Sequence, residues 1–308
     1  MATRNRARSL EQVLESYTRL TAPPDGWQLI IVDNGSTDSA PGVVHGFANR
    51  LPVTYLLEPQ AGKSRALNAG LERATGDLVL FTDDDILPPG RWLTDYVETA
   101  ASNPDFDIFG GPERPKWPFE PPSWAVCDER FLAVCFASTG PPRATGPTGN
   151  WLVGGNFAVR RRVLGPNRPF DTRLGSEISS PMGEEIELIG RLMRDGRKTW
   201  WIGDAAVEHM IRPEQVNKKW MLQRATQFGR GRYWLDEEYG RRVPLVAGMP
   251  RWLIRHAISQ AARVAAAWIR RDGRELFVAR WNLNVHRGAL GEAWRVGGPR
   301  GSGGRAAR

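Results

Sequence analysis

Three short apolar runs most constrain how this chain can fold. Residues 28–32, 53–57 and 78–82 are rich in Leu, Ile and Val, are too short to be helices, and each stops at polar or turn-forming residues. Helical patterns lie between and around them. Residues 7–20 carry Leu10, Val13, Leu14 and Tyr17 at helical spacing, residues 63–74 place Ala66, Leu67, Gly70 and Leu71 on one face, and residues 90–101 continue the alternation. Strands alternating with helices predict an α/β fold, with a parallel or mixed sheet closed by crossover connections. Ligands of such sheets bind outside the carboxyl ends of the strands. Asp33, after the first run, and Asp83-Asp84-Asp85, after the third, fall at that edge.

The acidic triplet is a poor way to stabilise a fold, because crowded like charges repel. It suits a hard divalent cation, which takes oxygen ligands and bridges to phosphate. Read alone, the triplet is equally a solvated turn closed by Pro88-Pro89-Gly90.

Composition narrows the classes. With 41% hydrophobic and 25% charged residues, the chain can bury an ordinary core. No run of 18 apolar residues predicts a membrane-spanning helix. The start of the chain, with Arg4, Arg6 and Arg8 and no apolar stretch, does not read as a secretory signal. Cys127 and Cys135 lack partners at zinc-like spacing and read as reduced packing thiols, which predicts a cytoplasmic location. Charge is unevenly spread: residues 1–210 hold 22 Lys and Arg against 27 Asp and Glu, and residues 211–308 hold 20 against 7. No zinc-finger, helix-turn-helix or aromatic-basic signature accompanies the basic third, so no nucleic-acid partner is expected. A membrane surface or a phosphate-bearing lipid fits it better.

Farther along, residues 112–149 are rich in Pro and Trp and read as a long irregular, functional segment. Trp117, Trp124 and Trp151 are its candidates for stacking on a sugar. Residues 156–159 and 199–202 read as strands. Residues 184–194, 214–238, 251–271 and 274–295 read as helices, and residues 297–308 as a disordered Gly/Arg-rich tail. Along 251–271, Arg251, Arg255, Arg263 and Arg270 form one stripe, and Ile254, Ile258, Ala261, Ala265, Trp268 and Ile269 the opposite side. A helix of this kind can lie on an anionic membrane. A docked helix with a solvated basic face has the same pattern.

Five motifs in order carry a resemblance. Val32-Asp33-Asn34-Gly35-Ser36-Thr37-Asp38 resembles the "VDDGSTD" turn of family 2 glycosyltransferases of the GT-A fold, and Gly62-Lys63-Ser64-Arg65-Ala66-Leu67-Asn68-Ala69-Gly70 their "G-x-x-x-A-x-N-x-G" helix start. Asp83-Asp84-Asp85 resembles their DxD segment, Gly154-Gly155-Asn156-Phe157-Ala158-Val159-Arg160 their "G-x-N-x-x-x-R" strand, and Gly183-Glu184-Glu185-Ile186-Glu187-Leu188 their "G-E-D-x-x-L" motif. The resemblance covers about residues 3–210.

It implies a mixed, mostly parallel GT-A sheet in residues 1–210, with a nucleotide-binding half (1–111) and an acceptor half (112–210), followed by a helical basic extension (211–296). It also implies a nucleoside-diphosphate sugar donor, a glycan or lipid-linked acceptor at the inner face of a membrane, and transfer of a single sugar with inversion. Mn2+ or Mg2+ would be held by Asp83, Asp85 and His209, the last in a "D-A-x-V-x-H" close. The donor would be met by Arg4, Asp33, Asn34, Gly35, Lys63, Arg65, Asp83, Asp84, Gly155 and Asn156. The catalytic base falls on Glu185, where the family has Asp, with Glu184 as the alternative.

Two departures stand out. The family opens with an apolar strand before a "T-x-N-R" turn; here Met1-Ala2-Thr3-Arg4-Asn5-Arg6 leaves no room for one, so the first strand is expected to be missing and a sheet edge unpaired. Gln227-Phe228-Gly229-Arg230-Gly231 lacks the Trp of the processive "Q-x-x-R-W" signature. A catalytically weak sugar-nucleotide-binding protein, or a nucleotidyltransferase, are the other readings these residues leave open.

Overall fold

The computed structural model describes residues 1–149, 154–165, 169–175, 180–235 and 244–297. Trp151, residues 236–238 of the predicted helix and the tail beyond Gly297 lie outside them. The chain forms two compact units. One comprises residues 1–118, 136–173 and 184–211, and the other residues 119–135, 174–183 and 212–308.

The first unit is a helix-covered mixed sheet. β1 (Ala2–Thr3), β2 (Leu29–Asp33) and β3 (Val53–Leu57) are parallel neighbours. The expectation of a missing first strand is corrected here. Two residues suffice for a strand because Ala2 pairs with Val32 and Thr3 with Asp33, while the Met1 amine donates to the Ile30 carbonyl at 3.0 Å. On its other side Ala2 bridges to Asp83, so the short strand joins β2 to the acidic triplet.

α1 (Ala7–Tyr17) buries Leu10, Val13, Leu14 and Tyr17, the four residues whose spacing predicts it. α2 (Ala40–Gly46) and α3 (Lys63–Leu71) make the crossovers. Gly70 lets α3 sit close on the sheet, since a Cβ there would lie 3.1 Å from a Val32 methyl. Asn68 clamps a distant segment, donating to the Phe170 carbonyl and accepting from its amide.

β4 (Leu78–Phe81), β6 (Ile108–Gly110), β8 (Gly146–Thr148), β9 (Phe157–Arg160) and β10 (Thr199–Trp201) form a second sheet in the order β4-β9-β6-β10-β8. β5 (Ile86–Leu87), β7 (Glu113–Lys116) and β11 (Val207–Met210) form a third, with β11 central. α4 (Trp92–Ser102) and α6 (Glu184–Arg194) cover these strands. The stretch 112–149, expected to be irregular, instead carries β7, α5 (Glu129–Phe136) and β8. Its prolines obscure the period: β7 is Glu-Arg-Pro-Lys and β8 Gly-Pro-Thr, and each tolerates its proline because pairing there is short.

The second unit is helical. α7 (Lys218–Leu235), a hairpin of β12 (Leu245–Val246) and β13 (Met249–Pro250), α8 (Arg251–Ile269) and α9 (Gly273–Gly297) follow in order. α7 and α9 cross at backbone contact: a Cβ on Gly229 would fall 1.9 Å from the Val285 carbonyl oxygen, and one on Gly288 2.1 Å from that of Thr226. Trp124 packs edge-on against Phe277 and under the Lys218 ammonium, which makes it a packing residue of this unit rather than a free stacking platform. Trp117 lies on Phe136 in the first unit. Among the described residues no helix is long and apolar enough to cross a membrane.

Candidate active site

The acidic triplet leaves the end of β4 with its three carboxylates turned to different partners. Asp83 is partly exposed, and its Oδ1 takes an ion pair from Lys63 Nζ at 2.8 Å. Asp84 is buried, accepting from Thr3 Oγ1 at 2.7 Å and from Arg6 Nη1 at 2.9 Å. Asp85 is buried too, with Arg6 Nη1 2.5 Å from Oδ2 and His209 Nε2 3.3 Å from Oδ1. The turn is therefore not a solvated one.

Lys63, at the first position of α3, also reaches Glu184 Oε1 at 3.1 Å, at the first position of α6. One ammonium thus joins motifs separated by more than a hundred residues of sequence. Burial opposes its charge, but Asp83, Glu184 and Glu185 outweigh burial and hold it protonated. Burial likewise opposes the Arg6 guanidinium, and the three aspartates overcome it.

Several of the carboxylates are nonetheless pushed upward. Burial raises Glu113 to about 8, with the neighbouring His209 the main opposing influence. Burial, then the adjacent Glu184, raises Glu185 against the pull of Lys63. Burial raises Asp84 despite Arg6. Burial disfavours charge on His209, but Asp85 more than compensates and raises it. Glu113 Oε1 and His209 Nδ1 are both buried without a hydrogen-bond partner among the described residues. They share a sheet face: Glu113 pairs with Val207 and Pro115 with His209 in the parallel β7–β11 ladder, and alternate residues point the same way.

Two glycines let the loop before β9 close over these groups. A Cβ on Gly155 would come 2.9 Å from Asp83 Oδ2, and one on Gly154, at φ +93°, would strike Glu113 Oε1 at 2.1 Å.

Among the described residues no three His, Cys, Asp or Glu side chains converge closely enough to hold a metal ion as they stand. Asp85 and His209 are together, whereas Asp83 is turned to Lys63. The donor set nonetheless fits a hard divalent cation. Among the described residues Asp83, Asp84, Asp85, Glu113, Glu184 and Glu185 outnumber the cationic groups beside them, Arg6, Lys63, His209 and the Met1 amine, and burial followed by neighbouring carboxylates raises Asp84, Glu113 and Glu185.

Several of the expected donor-binding residues have partners within the protein. Asn156 is a buried structural hub, not a free ligand group. Its Oδ1 accepts from Trp92 Nε1 and Tyr96 Oη, and its Nδ2 donates to the Pro112 and Ala205 carbonyls, so every polar valence is used. Asn34 staples its loop, donating to the Glu58 and Gln60 carbonyls and accepting from the Gly62 amide. Asp33 is buried, taking the Ser36 amide at 2.7 Å and the Tyr55 hydroxyl at 3.0 Å, and Gly35 completes that turn at φ +76°. Arg65 reaches Gln60. Arg4 is exposed; the arginine that enters the acidic cluster is Arg6, two residues later.

Sequence reasoning also passed over Thr3, Tyr55 and Glu113. Only Glu113 left a signal, as a lone acid following Gly110-Gly111-Pro112 inside a proline-rich stretch.

The family model described as Glycosyl transferase family 2 matches residues 1–165. Succinoglycan biosynthesis protein ExoM of Rhizobium meliloti (strain 1021) is 26% identical over 238 residues, which is 76% of this chain and 74% of ExoM. The structure of the mannosyltransferase PcManGT from Pyrobaculum calidifontis, in complex with GDP-Man and Mn2+, is similar at a TM-score of 0.55 and 21% identity, covering 98% of this chain and 75% of PcManGT. S. aureus TarS 1-349 in complex with UDP is similar at a TM-score of 0.54 and 17% identity, covering 96% and 89%. At these identities the two structures speak for the fold, which is of GT-A type.

Proposed function

This chain belongs to glycosyl transferase family 2 and is a glycosyltransferase, and on that premise we propose that it transfers one sugar, with inversion, from a nucleoside-diphosphate sugar to a hydroxyl of a glycan or lipid-linked acceptor on the cytoplasmic side of a membrane. The observation that carries this reading is the Asp83–Lys63–Glu184 chain of ion pairs, which brings a phosphate-side group and an acceptor-side group to one ammonium.

Glu185 is the base. It stands beside Glu184, whose carboxylate is tied to Lys63, and in its ionised form its raised pKa makes it a stronger base than an ordinary carboxylate. As the acceptor oxygen forms its bond to the anomeric carbon, Glu185 takes the hydroxyl proton. The bond between that carbon and the diphosphate oxygen breaks with both electrons leaving on the nucleoside diphosphate. Glu184 orients Lys63, and Lys63 and Arg6 keep fixed positive charge beside the phosphates. Asp83, Asp85 and His209 would hold Mn2+ or Mg2+, which when bound supplies charge neutralisation for the diphosphate. The Asp33 turn, with Gly35, Arg65 and Arg4 around it, lines the nucleoside side.

The test offers the purified chain a panel of nucleoside-diphosphate sugars with Mn2+ and candidate acceptors, and measures nucleoside diphosphate release. Glu185→Gln should cut kcat at least about 100-fold while the donor still raises the melting temperature. Pyrophosphate as product, or an unimpaired Glu185→Gln protein, would overturn the reading.

A further inference from the structure

α8 is amphipathic in an unexpected sense. The seam it turns inward toward α9 is made of Leu253, Ala257, Gln260, Val264 and Ala267, recurring every three or four residues, and only Leu253 and Ala267 are fully buried. The larger apolar side chains point the other way. Ile258 is 65% exposed, Trp268 71% and Ile269 73%. Arg251, Arg255, Ile258, Ala262, Ala265 and Ile269 fall along one line of this outer face, and Ala261 and Trp268 sit beside it. All of these are exposed. The apolar side that the sequence offered for docking is thus largely the exposed one.

A soluble helix with a solvated outer face mixes acids with bases there. α8 has no Asp or Glu in its 19 residues. Arg251, Arg255 and Arg270 make no ion pair among the described residues, while Arg263 pairs with Glu275 of α9. An apolar stripe bearing Trp and Ile, bordered by arginines and free of acids, matches a surface that is apolar beneath an anionic layer. A second copy of this chain fits poorly, because a two-fold contact would bring unpaired arginines against arginines. The segment 298–308, all Pro, Gly, Ser, Ala and Arg, has no large apolar side chain with which to cover the stripe.

We propose that the outer face of α8 docks on an anionic lipid bilayer, with Ile258, Trp268 and Ile269 entering the headgroup–acyl boundary and Arg251, Arg255 and Arg270 meeting the lipid phosphates. The inference stands on the helix itself and does not depend on the transfer reaction.

Co-sedimentation of the full chain with phosphatidylcholine vesicles, with and without phosphatidylglycerol, tests it. Binding should appear on the anionic vesicles and weaken with salt. Arg251→Gln with Arg255→Gln should weaken it about 25-fold, at roughly fivefold per arginine. Ile258→Glu with Ile269→Glu should abolish it, with the melting temperature held within a degree or two because both sites are exposed. Failure to bind anionic vesicles, equal binding to neutral ones, or undiminished binding by the Ile258→Glu, Ile269→Glu protein overturns the proposal. So does a dimer in solution that these two changes dissociate. Vesicle binding is read without donor or acceptor, so its failure leaves the transferase reading untouched, and binding by a chain that releases no nucleoside diphosphate counts only against that reading.

Discussion

Glu113 shows how much of the site depends on single residues and their surroundings. Its carboxyl is raised from 4.5 to about 8 by burial. Between those values the native chain keeps a proton that the unfolded chain has lost, so this group's contribution to stability falls as pH climbs through the window. Urea unfolding of the metal-free protein should show that decline. Glu113→Gln, which keeps the shape and removes the charge, should flatten it, with a gain on the order of 2 kcal/mol at the alkaline end. A slope unchanged by the substitution would mean that Glu113 is ionised at ordinary cost. Most residue types of the site were legible in the sequence because they sit in five ordered motifs; Lys63 links Asp83 to Glu184, and Asp85 meets His209. What was not legible is partner choice. Nothing in "N-x-x-x-R" spacing says that Asn156 spends all its valences on Trp92, Tyr96 and two carbonyls, or that Arg6 and not Arg4 turns inward.

Elements were read best where periodicity was long and uninterrupted. β3 and α6 begin and end at the residues expected, α1 and α3 differ only in their last turns, and α4 starts two residues late and ends one residue late. β1 was missed because two residues carry no period; its identity lies in tertiary pairing with β2. β7 and β8 were missed because proline reads as a breaker, although an edge or short strand accepts it. The α7–α9 crossing was hidden in the glycine pattern. Gly288 faces the Thr226 carbonyl with no room for a methyl, and backbone cannot rotate aside as a side chain can. Gly288→Ala should therefore cost about 1–3 kcal/mol, seen as a fall of several degrees in the melting temperature. An unchanged melting temperature would show that the two helices can part there without penalty.

At the scale of the whole molecule, a ligand that binds only the folded chain raises its stability by mass action. A correct nucleoside-diphosphate sugar at about 100 times its Kd, with Mn2+, should stabilise the protein by about 2.7 kcal/mol. That is roughly 5–11 °C in melting temperature for a unit of this size, and chelator should remove most of it. A donor shift indifferent to chelator would place charge neutralisation on Arg6 and Lys63 alone. Lys63 also has a mechanical meaning. It is rooted in the first turn of α3, yet grips the end of β4 and the start of α6 through one nitrogen. A slight tilt of that turn slackens both grips in the same instant, so the end of β4 and the start of α6 are geared together through it.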